Sequence, residues 1–329
     1  MNMEENKKVL SIENLHVQYV TDDATVYAVN GLDLDIYEGE TVGLVGETGA
    51  GKTSTALSVL KLLPDHIGKI TEGKITLGDV DITKATEGQM QLLRGEVVSM
   101  IFQDPMTSLN PVQTVGRQIE EVLKVHRKEL TKDQREKRVD EMLELIGIPP
   151  ARKNEFPHQF SGGMKQRIVI AIALACEPML LLADEPTTAL DVTIQAQVLQ
   201  MMGELKAQFH TAIMLITHDL GVIAQTCDSV AVVYAGEVVE FGTVQHIFDS
   251  KHHHPYTEGL FGSIPHLNQD EKRLHPIKGL MPDPTVRPEG CAFAERCPKA
   301  TDICFKQKPP RHEEDGHRIT CHCCSLPLA

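Results

Sequence analysis

One octapeptide constrains the fold of this chain more than any other feature. Residues 46–53 have the spacing G-x-x-x-x-G-K-T and lie between an apolar segment, 40–45, and a segment of helical character, 52–63. Glycine permits positive φ, so the backbone can approach an anion closely, and a helix N-terminus directs its N–H groups toward that anion. The octapeptide therefore predicts a strand–loop–helix unit of an α/β fold that binds the phosphates of a nucleoside triphosphate.

The residues of this phosphate loop are candidate nucleotide contacts. Lys52 is predicted to reach the β- and γ-phosphates, and the Thr53 hydroxyl to bind Mg²⁺. The other candidates in the loop and the first turn of its helix are Gly46, Glu47, Thr48, Gly49, Ala50, Gly51 and Thr55.

A second apolar run, 179–183, ends in the acidic pair Asp184-Glu185. An uninterrupted apolar run is typical of a central strand in a parallel sheet covered on both faces. Ligands bind at the carboxyl ends of such strands. We therefore expect Asp184 to hold Mg²⁺, through water, and Glu185 to orient and polarise an attacking water molecule.

Two further polar residues follow apolar strands. Gln103 comes after the run 97–101, and His218 comes after the run 213–217. Gln103 is predicted to coordinate Mg²⁺ or the attacking water when its loop is drawn in. His218 is predicted to contact the γ-phosphate. Neither residue would be informative alone, but both stand in order around the acidic pair.

The sequence Ser161-Gly162-Gly163-Met164-Lys165-Gln166 adds a second candidate phosphate-binding surface about twenty residues before the acidic pair. The motifs of residues 1–250, in this order, resemble those of the ATP-binding-cassette (ABC) ATPases. The resemblance implies ATP and Mg²⁺ as cofactors. It also implies that Ser161 and Gly163 contact the γ-phosphate bound to an opposite ATPase subunit, so that the machine works as a pair.

The same resemblance assigns three more features. An aromatic residue for adenine is identified as Tyr19, with Tyr27 as the alternative. The turn Ala189-Leu190-Asp191 follows the acidic pair and places Asp191 among the nucleotide contacts. The helical segment between Gln103 and Ser161 corresponds to the family's helical subdomain, which receives cytoplasmic loops of membrane subunits.

Composition limits the partners. The net charge of the 329 residues is −14, without the basic footprint of a duplex-DNA binder, so we expect no nucleic-acid partner. The chain has no long apolar segment, and its first residues lack the apolar region of a signal peptide. We therefore expect a chain that reaches a membrane only through partners.

Hydrophobic periodicity predicts amphipathic helices over 115–126, 131–146 and 193–210. Thr131 with Gln134 is a capping-box start for the second of these helices, and Gly147 is a stop. Residues 9–36 alternate like paired strands, with a turn at 22–23. The predicted fold is α/β, with a phosphate-loop core, an antiparallel β subdomain and a helical subdomain at about 104–165.

The composition changes after residue 250, where ten of the 18 prolines and six of the eight cysteines lie. We therefore divide the chain into an ATPase domain, 1–250, and a small cysteine-rich extension, 251–329. In a reducing cytoplasm, thiolates in a segment with little apolar core favour a metal over disulfides. The candidate ligands are Cys291, Cys297, Cys304 and Cys321, and either Cys323 or Cys324 could replace the last.

These thiols suit an iron–sulfur cluster or Zn²⁺. The absence of paired C-x2-C knuckles favours the cluster. Of the remaining cysteines, Cys176 and Cys227 are expected to be inert. The run His252-His253-His254 is expected to be a solvated linker rather than a metal site.

A narrower resemblance covers essentially the whole chain. The segments 103–111, 187–193, 254–257 and 290–304 are similar to the ATPases of oligopeptide/dipeptide importers. This likeness implies a [4Fe–4S] cluster on the four cysteines, with Zn²⁺ as the alternative, and ATP hydrolysis that drives peptide uptake. It implies as partners two transmembrane permeases, a second and different ATPase chain and, indirectly, an extracytoplasmic binding protein. The expected location is peripheral, on the cytoplasmic face of the cell membrane.

Two other functions stay open at this stage. The same machinery could import nickel or another small solute, because cargo is selected by the binding protein and the permeases. A non-transport cassette ATPase acting on DNA or ribosomes is the second alternative. That class would favour tandem cassettes or long coiled-coil insertions, which this sequence lacks.

Overall fold

The computed structural model describes residues 7–188, 190–263 and 277–324. The chain forms two compact units, each built from separate segments. The first, called here the helical unit, comprises residues 1–10, 35–41 and 76–217. The second, the phosphate-loop unit, comprises residues 11–34, 42–75 and 218–329. Ala189, part of the predicted Ala189-Leu190-Asp191 turn, lies outside the described residues.

The strands of the described residues, in chain order, are β1 (Lys8–Val20), β2 (Thr25–Tyr37), β3 (Thr41–Val45), β4 (Gly68–Leu77), β5 (Val80–Asp81), β6 (Val98–Ile101), β7 (Leu180–Asp184), β8 (Ala212–Ile216), β9 (Ser229–Tyr234), β10 (Glu237–Thr243), β11 (Arg311–Glu314) and β12 (His317–Thr320).

The α-helices of the same residues are α1 (Lys52–Val59), α2 (Glu87–Leu93), α3 (Pro105–Ser108), α4 (Val115–His126), α5 (Lys132–Leu145), α6 (Gly162–Leu174), α7 (Val192–Phe209), α8 (Leu220–Thr226), α9 (Val244–Asp249), α10 (Pro255–Gly262) and α11 (Asp302–Lys306). Short 3-10 turns occupy Pro150–Asn154, Pro157–Gln159 and Ala294–Arg296.

In the helical unit, β7 pairs in parallel with β6 on one side and with β8 on the other. Every residue of β7 and β8 is buried, as the apolar runs of the sequence predicted for a sheet covered on both faces. The helix α4 spans the predicted residues, and α5 begins at a capping box in which Thr131 accepts from the backbone N–H of Gln134. Gly147, with φ 72°, follows the end of α5.

In the phosphate-loop unit, β3 and β9 are parallel neighbours. The sheet continues from β9 through antiparallel β10 and β12 to β11, so strands from beyond residue 300 complete it. A separate sheet has four strands in the order β2-β1-β4-β5. The predicted turn between β1 and β2 is present, because the backbone N–H of Thr21 donates to the carbonyl of Ala24 at 3.0 Å.

Two details differ from the sequence-based expectation. Helix α1 ends at Val59 rather than at residue 63, because Lys61 adopts φ 49° and Pro64 follows. The three-histidine run is not a solvated linker, because His253 is 9% exposed and His254 is 1% exposed. The boundary placed at residue 250, and the helical subdomain at about 104–165, stay predictions.

Candidate functional site

The phosphate loop lies in the phosphate-loop unit, between β3 and α1. Gly51 precedes α1 with φ 98°, and a Cβ at this position would lie 2.3 Å from the carbonyl oxygen of Ala28. Gly46 is equally tight, because its Cβ would lie 2.1 Å from the carbonyl oxygen of Val233. No side chain caps the N-terminus of α1. The loop therefore has the close backbone approach and the positive helix end that an anion requires.

Lys52 is only 8% exposed, and its ammonium group is held by the loop itself. The Nζ atom donates to the carbonyl oxygens of Gly46, at 2.7 Å, and Glu47, at 3.0 Å. Thr55, a predicted nucleotide contact, is fully buried, and its hydroxyl donates to the carbonyl of Gly51 at 3.0 Å. That bond fixes the first turn of α1. Thr48, Gly49 and Thr53 are exposed.

The two candidate adenine aromatics have different surroundings. The Tyr19 hydroxyl donates to Ser54 Oγ in the first turn of α1, at 2.9 Å, so this ring adjoins the phosphate-loop helix. The Tyr27 ring is covered by the guanidinium of Arg287, 5.3 Å from the ring centroid. The assignment of Tyr19 to adenine, with Tyr27 as the alternative, stays a prediction.

The acidic pair lies in the helical unit. Asp184 is the last residue of β7 and is 4% exposed. Glu185 follows with φ 47°, and its backbone N–H donates to the carbonyl of Ile216 at 2.9 Å. This left-handed conformation is unusual for a residue with a Cβ and commonly marks a functional position.

The Glu185 carboxylate has two side-chain donors in the same unit. Gln103 Nε2 donates to Glu185 Oε2 at 2.9 Å, and the Thr188 hydroxyl donates to the same oxygen at 2.9 Å. The structure thus brings together two of the predicted catalytic residues. Thr188 was missed by sequence reasoning, although its position three residues after the glutamate is the signal that could have identified it.

The residues Ser161, Gly162 and Gly163 form the start of α6, also in the helical unit. The Ser161 side chain accepts a hydrogen bond from the Met164 backbone N–H at 3.4 Å, and Ser161 and Gly162 are exposed. A Cβ on Gly163 would lie 2.5 Å from Cγ2 of Ile194. Predicted contact Asp191 caps α7 through the N–H of that same Ile194, at 3.0 Å.

His218 belongs to the phosphate-loop unit, as the phosphate loop does, and is exposed. The next residue, Asp219, caps α8 by accepting from the backbone N–H groups of Gly221, at 2.8 Å, and Val222, at 3.3 Å. The cap fixes the backbone immediately after His218.

In the cysteine-rich extension, the backbone joins two of the predicted ligands, because the N–H of Cys291 donates to the carbonyl of Cys304 at 2.7 Å. Burial raises the pKa of Cys291 to about 11 and also raises that of Cys297. A hydrogen bond with the Cys324 thiol lowers the pKa of Cys321 to about 6. Burial likewise raises the pKa of Cys176, as expected for an inert thiol.

A hydrogen-bonded cluster joins Glu240 of β10 to histidines of this extension. Glu240 Oε1 contacts His253 Nδ1 and His317 Nε2, each at 2.9 Å, and Glu240 Oε2 accepts from the His254 backbone N–H at 2.8 Å. Burial opposes ionisation of Glu240, but the hydrogen bonds outweigh it and lower the pKa to about 2. Among the described residues, Glu240, His253 and His317 form a group whose three candidate ligand atoms all lie within 4.8 Å of one another. No three thiols of those residues lie so close together.

Comparisons with known proteins show the family to which the chain belongs. The ABC transporter family matches residues 29–188, and the oligopeptide/dipeptide transporter C-terminal region matches residues 239–304. The chain is 49% identical to the dipeptide transport ATP-binding protein DppD of Bacillus subtilis, over 96% of this chain and 94% of that one. It is 50% identical to the oligopeptide transport ATP-binding protein AppD of the same organism, over 95% and 96%.

Solved structures show the same fold. The ATP-binding cassette MJ0796, a dimer in a post-hydrolysis state bound to ADP and Pi, has a TM-score of 0.63 and 27% identity, and the match covers 71% of this chain and 98% of that one. CbiO1 from Clostridium perfringens, part of the ABC transporter complex cbiONQ, has a TM-score of 0.65 and 29% identity, covering 74% and 92%. Fold and site define an ABC-type ATPase. The chain belongs to the oligopeptide/dipeptide transporter family of these ATPases.

Proposed function

We propose that this chain is the ATP-hydrolysing subunit of an importer that takes up di- or oligopeptides. The hydrolytic part rests on one observation above all, the Glu185 carboxylate held by Gln103 and Thr188 immediately after Asp184. The peptide part rests on the relatives, whose names specify dipeptide and oligopeptide transport. Both parts extend to this chain by similarity along nearly its whole length.

The proposed roles follow from the chemistry of each group. The loop N–H groups and Lys52 bind the β- and γ-phosphates of ATP, and Thr53 and Asp184 hold Mg²⁺, which neutralises charge on the phosphates. Glu185 accepts a proton from the water that attacks the γ-phosphorus as the bond to the ADP oxygen breaks. Gln103 orients that water or binds the metal, and His218 contacts the γ-phosphate.

A pair of ATPase subunits completes each site in this proposal. The exposed N-terminus of α6 would meet the γ-phosphate bound to the opposite subunit through Ser161 and Gly163. The dimeric form of the related cassette supports such pairing. None of the described helices is both long and apolar enough to cross a bilayer. By likeness to the importer ATPases, we propose a peripheral subunit on the cytoplasmic face, with two permeases and a second, different ATPase as partners.

Replacement of the proposed general base tests the hydrolytic assignment. Glu185→Gln should retain ATP binding and lower turnover at least 100-fold, because the amide cannot accept the water's proton. Glu204→Gln is the matched control, since Glu204 is an exposed residue of α7 whose carboxylate accepts a hydrogen bond from Gln200 of the same helix at 2.9 Å. Normal steady-state hydrolysis by Glu185→Gln would refute the assignment.

Co-purification tests the transport assignment. The tagged chain, isolated from gently solubilised membranes of its own cells, should bring two multi-span permeases and a second cassette ATPase. The associated binding protein then distinguishes peptide from nickel by direct titration with each. A preparation that brings only ribosomes or nucleic acid would overturn the importer proposal.

For the extension we propose a [4Fe–4S] cluster on Cys291, Cys297, Cys304 and Cys321. The residues fit such a group in two respects. Burial makes lone thiolates at Cys291 and Cys297 costly, and bound iron would offset that cost. The thiols are also spaced more widely than a single tetrahedral zinc ion needs, with Zn–S bonds of about 2.3 Å. A cluster separates its ligands further because several irons and sulfides lie between them.

The double substitution Cys291→Ser with Cys297→Ser tests this proposal. It should remove iron and sulfide from the purified protein, measured by elemental analysis and visible absorption. Cys176→Ser is the matched control, because Cys176 is a buried thiol of the helical unit. Unchanged iron in the double variant would exclude the cluster, and zinc in place of iron would favour the alternative ligand.

A further inference from the structure

The extension contacts the phosphate loop directly, and both belong to the phosphate-loop unit. The Tyr256 hydroxyl, on α10, accepts a hydrogen bond from the backbone N–H of Glu47 at 2.8 Å. Arg296 Nη1 donates to both carboxylate oxygens of Glu47, at 3.0 and 3.2 Å. We propose that Tyr256 and Arg296 are positioning residues for ATP binding, which hold the phosphate loop in its binding conformation.

Glu47 is the point at which the extension can control the loop. Its carbonyl oxygen accepts from the backbone N–H of Ala50 at 3.1 Å and from Lys52 Nζ at 3.0 Å. The N–H of the same residue is held by Tyr256, and its carboxylate by Arg296. The extension therefore holds both the N–H and the carboxylate of Glu47. Because the carbonyl of the same residue accepts from Lys52 Nζ, these contacts also help to place Lys52.

Tyr256 is itself held rigidly. The residue is fully buried, and the centroid of its ring lies 4.6 Å from that of Tyr234 and 5.5 Å from that of Phe293. Burial raises its pKa, so the hydroxyl stays neutral and can accept the Glu47 N–H. A rigid aromatic anchor with one polar tip fixes the position of its hydrogen-bond partner.

Arg296 is held in the same way. Its side chain is 6% exposed, whereas that of Glu47 is 30% exposed. The guanidinium also donates to the Tyr234 hydroxyl at 3.3 Å and to the carbonyl of Lys278 at 3.1 Å. A surface ion pair would contribute little, but a guanidinium buried on one side and fixed by further bonds directs its partner.

Arg296 also immediately precedes Cys297, one of the proposed cluster ligands. The same short segment thus carries a predicted metal ligand and the side chain that holds the phosphate loop. The positioning role does not depend on which metal, if any, the thiols bind. It rests on the proposed nucleotide site, because a loop that binds no ATP cannot be positioned for it.

The experiment measures MgATP affinity and hydrolysis of the full-length protein carrying Tyr256→Phe, Arg296→Gln or Arg296→Lys. The first removes only the acceptor of the Glu47 N–H, and the second removes the charge. Each should weaken ATP binding about five- to tenfold and raise KM in parallel, with kcat nearly unchanged. Arg296→Lys, which retains the charge without the fork geometry, should recover part of the affinity.

Two controls separate positioning from general destabilisation and from failure of the site. Lys299→Gln removes an exposed ion pair with Glu258 in the same extension and should bind ATP like the wild type. Lys52→Ala should abolish binding. Melting without nucleotide shows that each variant is folded. If Tyr256→Phe does not fold, the two Arg296 variants carry the test.

The outcomes are distinct. Affinities within twofold of wild type for folded Tyr256→Phe and Arg296→Gln, with Lys52→Ala inactive, would overturn the positioning role alone. Wild-type protein that binds no more ATP than Lys52→Ala would overturn the nucleotide site and this inference together. A parallel loss in Lys299→Gln would show a nonspecific effect of the extension and would also overturn the assignment.

Discussion

The helices α1 and α6 both begin in glycine-rich segments, but their N-termini differ in capping and in exposure. The N-terminus of α1 has no side-chain cap, and the Lys52 ammonium beside it is almost fully buried. The N-terminus of α6 is capped by its own Ser161 and is exposed. Both offer the positive end of a helix to an anion.

The difference indicates when each terminus becomes a binding site. The loop before α1 is preorganised by contacts within its own unit, among them the bonds of Lys52 Nζ to the carbonyls of Gly46 and Glu47, and the proposed function gives it the phosphates of the chain's own ATP. The start of α6 satisfies itself with a long hydrogen bond of 3.4 Å, which a stronger external acceptor can replace. The uncapped terminus of α1 suits a ligand of the same subunit, and the capped, exposed terminus of α6 suits a ligand brought by a partner.

The largest effect is expected from Gly51→Ala, which distorts the uncapped N-terminus of α1. The added Cβ would meet the Ala28 carbonyl oxygen at 2.3 Å, in a backbone with φ 98°. Because backbone cannot yield as a flexible side chain does, the loop must move, and ATP affinity should fall at least 100-fold. Calorimetric titration with MgATP measures this loss.

Gly88→Ala is the control for this substitution, because a Cβ there meets no atom within 4 Å. Equal ATP affinity in Gly51→Ala and the wild type would contradict the view of a preorganised loop.

Ser161→Ala tests the exposed terminus and should have an intermediate effect. Turnover of the assembled protein should fall about tenfold or more, because a contact to the partner's nucleotide is lost. ATP affinity of the isolated chain should not change. The control is Thr131→Ala, which removes the cap of α5 in the same unit, at 3.3 Å from the Gln134 N–H.

Both cap removals should cost a similar, small stability, about 0.5–1 kcal/mol. If Thr131→Ala lowered turnover as strongly as Ser161→Ala, the loss would reflect helix stability rather than a contact across the pair.

The smallest effect on ATP binding is expected from Glu240→Gln, whose effect on stability should instead depend on pH. The folded-state pKa of Glu240, about 2, lies below its ordinary value of 4.5. The ionised carboxylate therefore stabilises the fold above about pH 4.5, and this contribution is lost as the pH falls toward 2. The stability gap between wild type and variant, on the order of 3 kcal/mol at most, should close over that range.

Chemical unfolding at pH 7 and at pH 3.5 measures the gap. Glu258→Gln, which removes an exposed carboxylate paired with Lys299, serves as the control. If the difference in unfolding free energy between wild type and variant did not change with pH, the negative charge of the Glu240 carboxylate would not be what stabilises the fold. Weaker ATP binding in Glu240→Gln would show that the cluster of Glu240 with His253 and His317 also affects the phosphate loop.

Local patterns in the sequence predicted the strand–loop–helix at β3 and α1, the apolar strand before Asp184 and the capping box of α5. Each of these features depends on residues that are close together in the sequence, so the local pattern is sufficient to predict it. The contact between Tyr256 and Glu47 joins residues 209 positions apart, and nothing local to either indicates the other.

The histidine run illustrates the same limit. Three consecutive histidines beside a lysine look solvated, because the local composition is polar. His253 is instead buried, because its ring N–H groups donate to the carboxylate of Glu240 on β10 and to the carbonyl of Ser250, each at 2.9 Å. Burial of a polar residue is decided by the partners that the tertiary fold supplies, and these partners are absent from the local pattern.

The pairing of β10 with β12 has a consequence for how the protein is made. Glu240 is synthesised 77 residues before His317, which donates to its carboxylate. At about 5–20 residues per second, a ribosome needs roughly 4–15 s to produce the intervening chain. During that interval β10 lacks its partner strand and presents an open edge to other nascent chains. Slow or interrupted translation of the extension should therefore endanger a sheet that is otherwise complete.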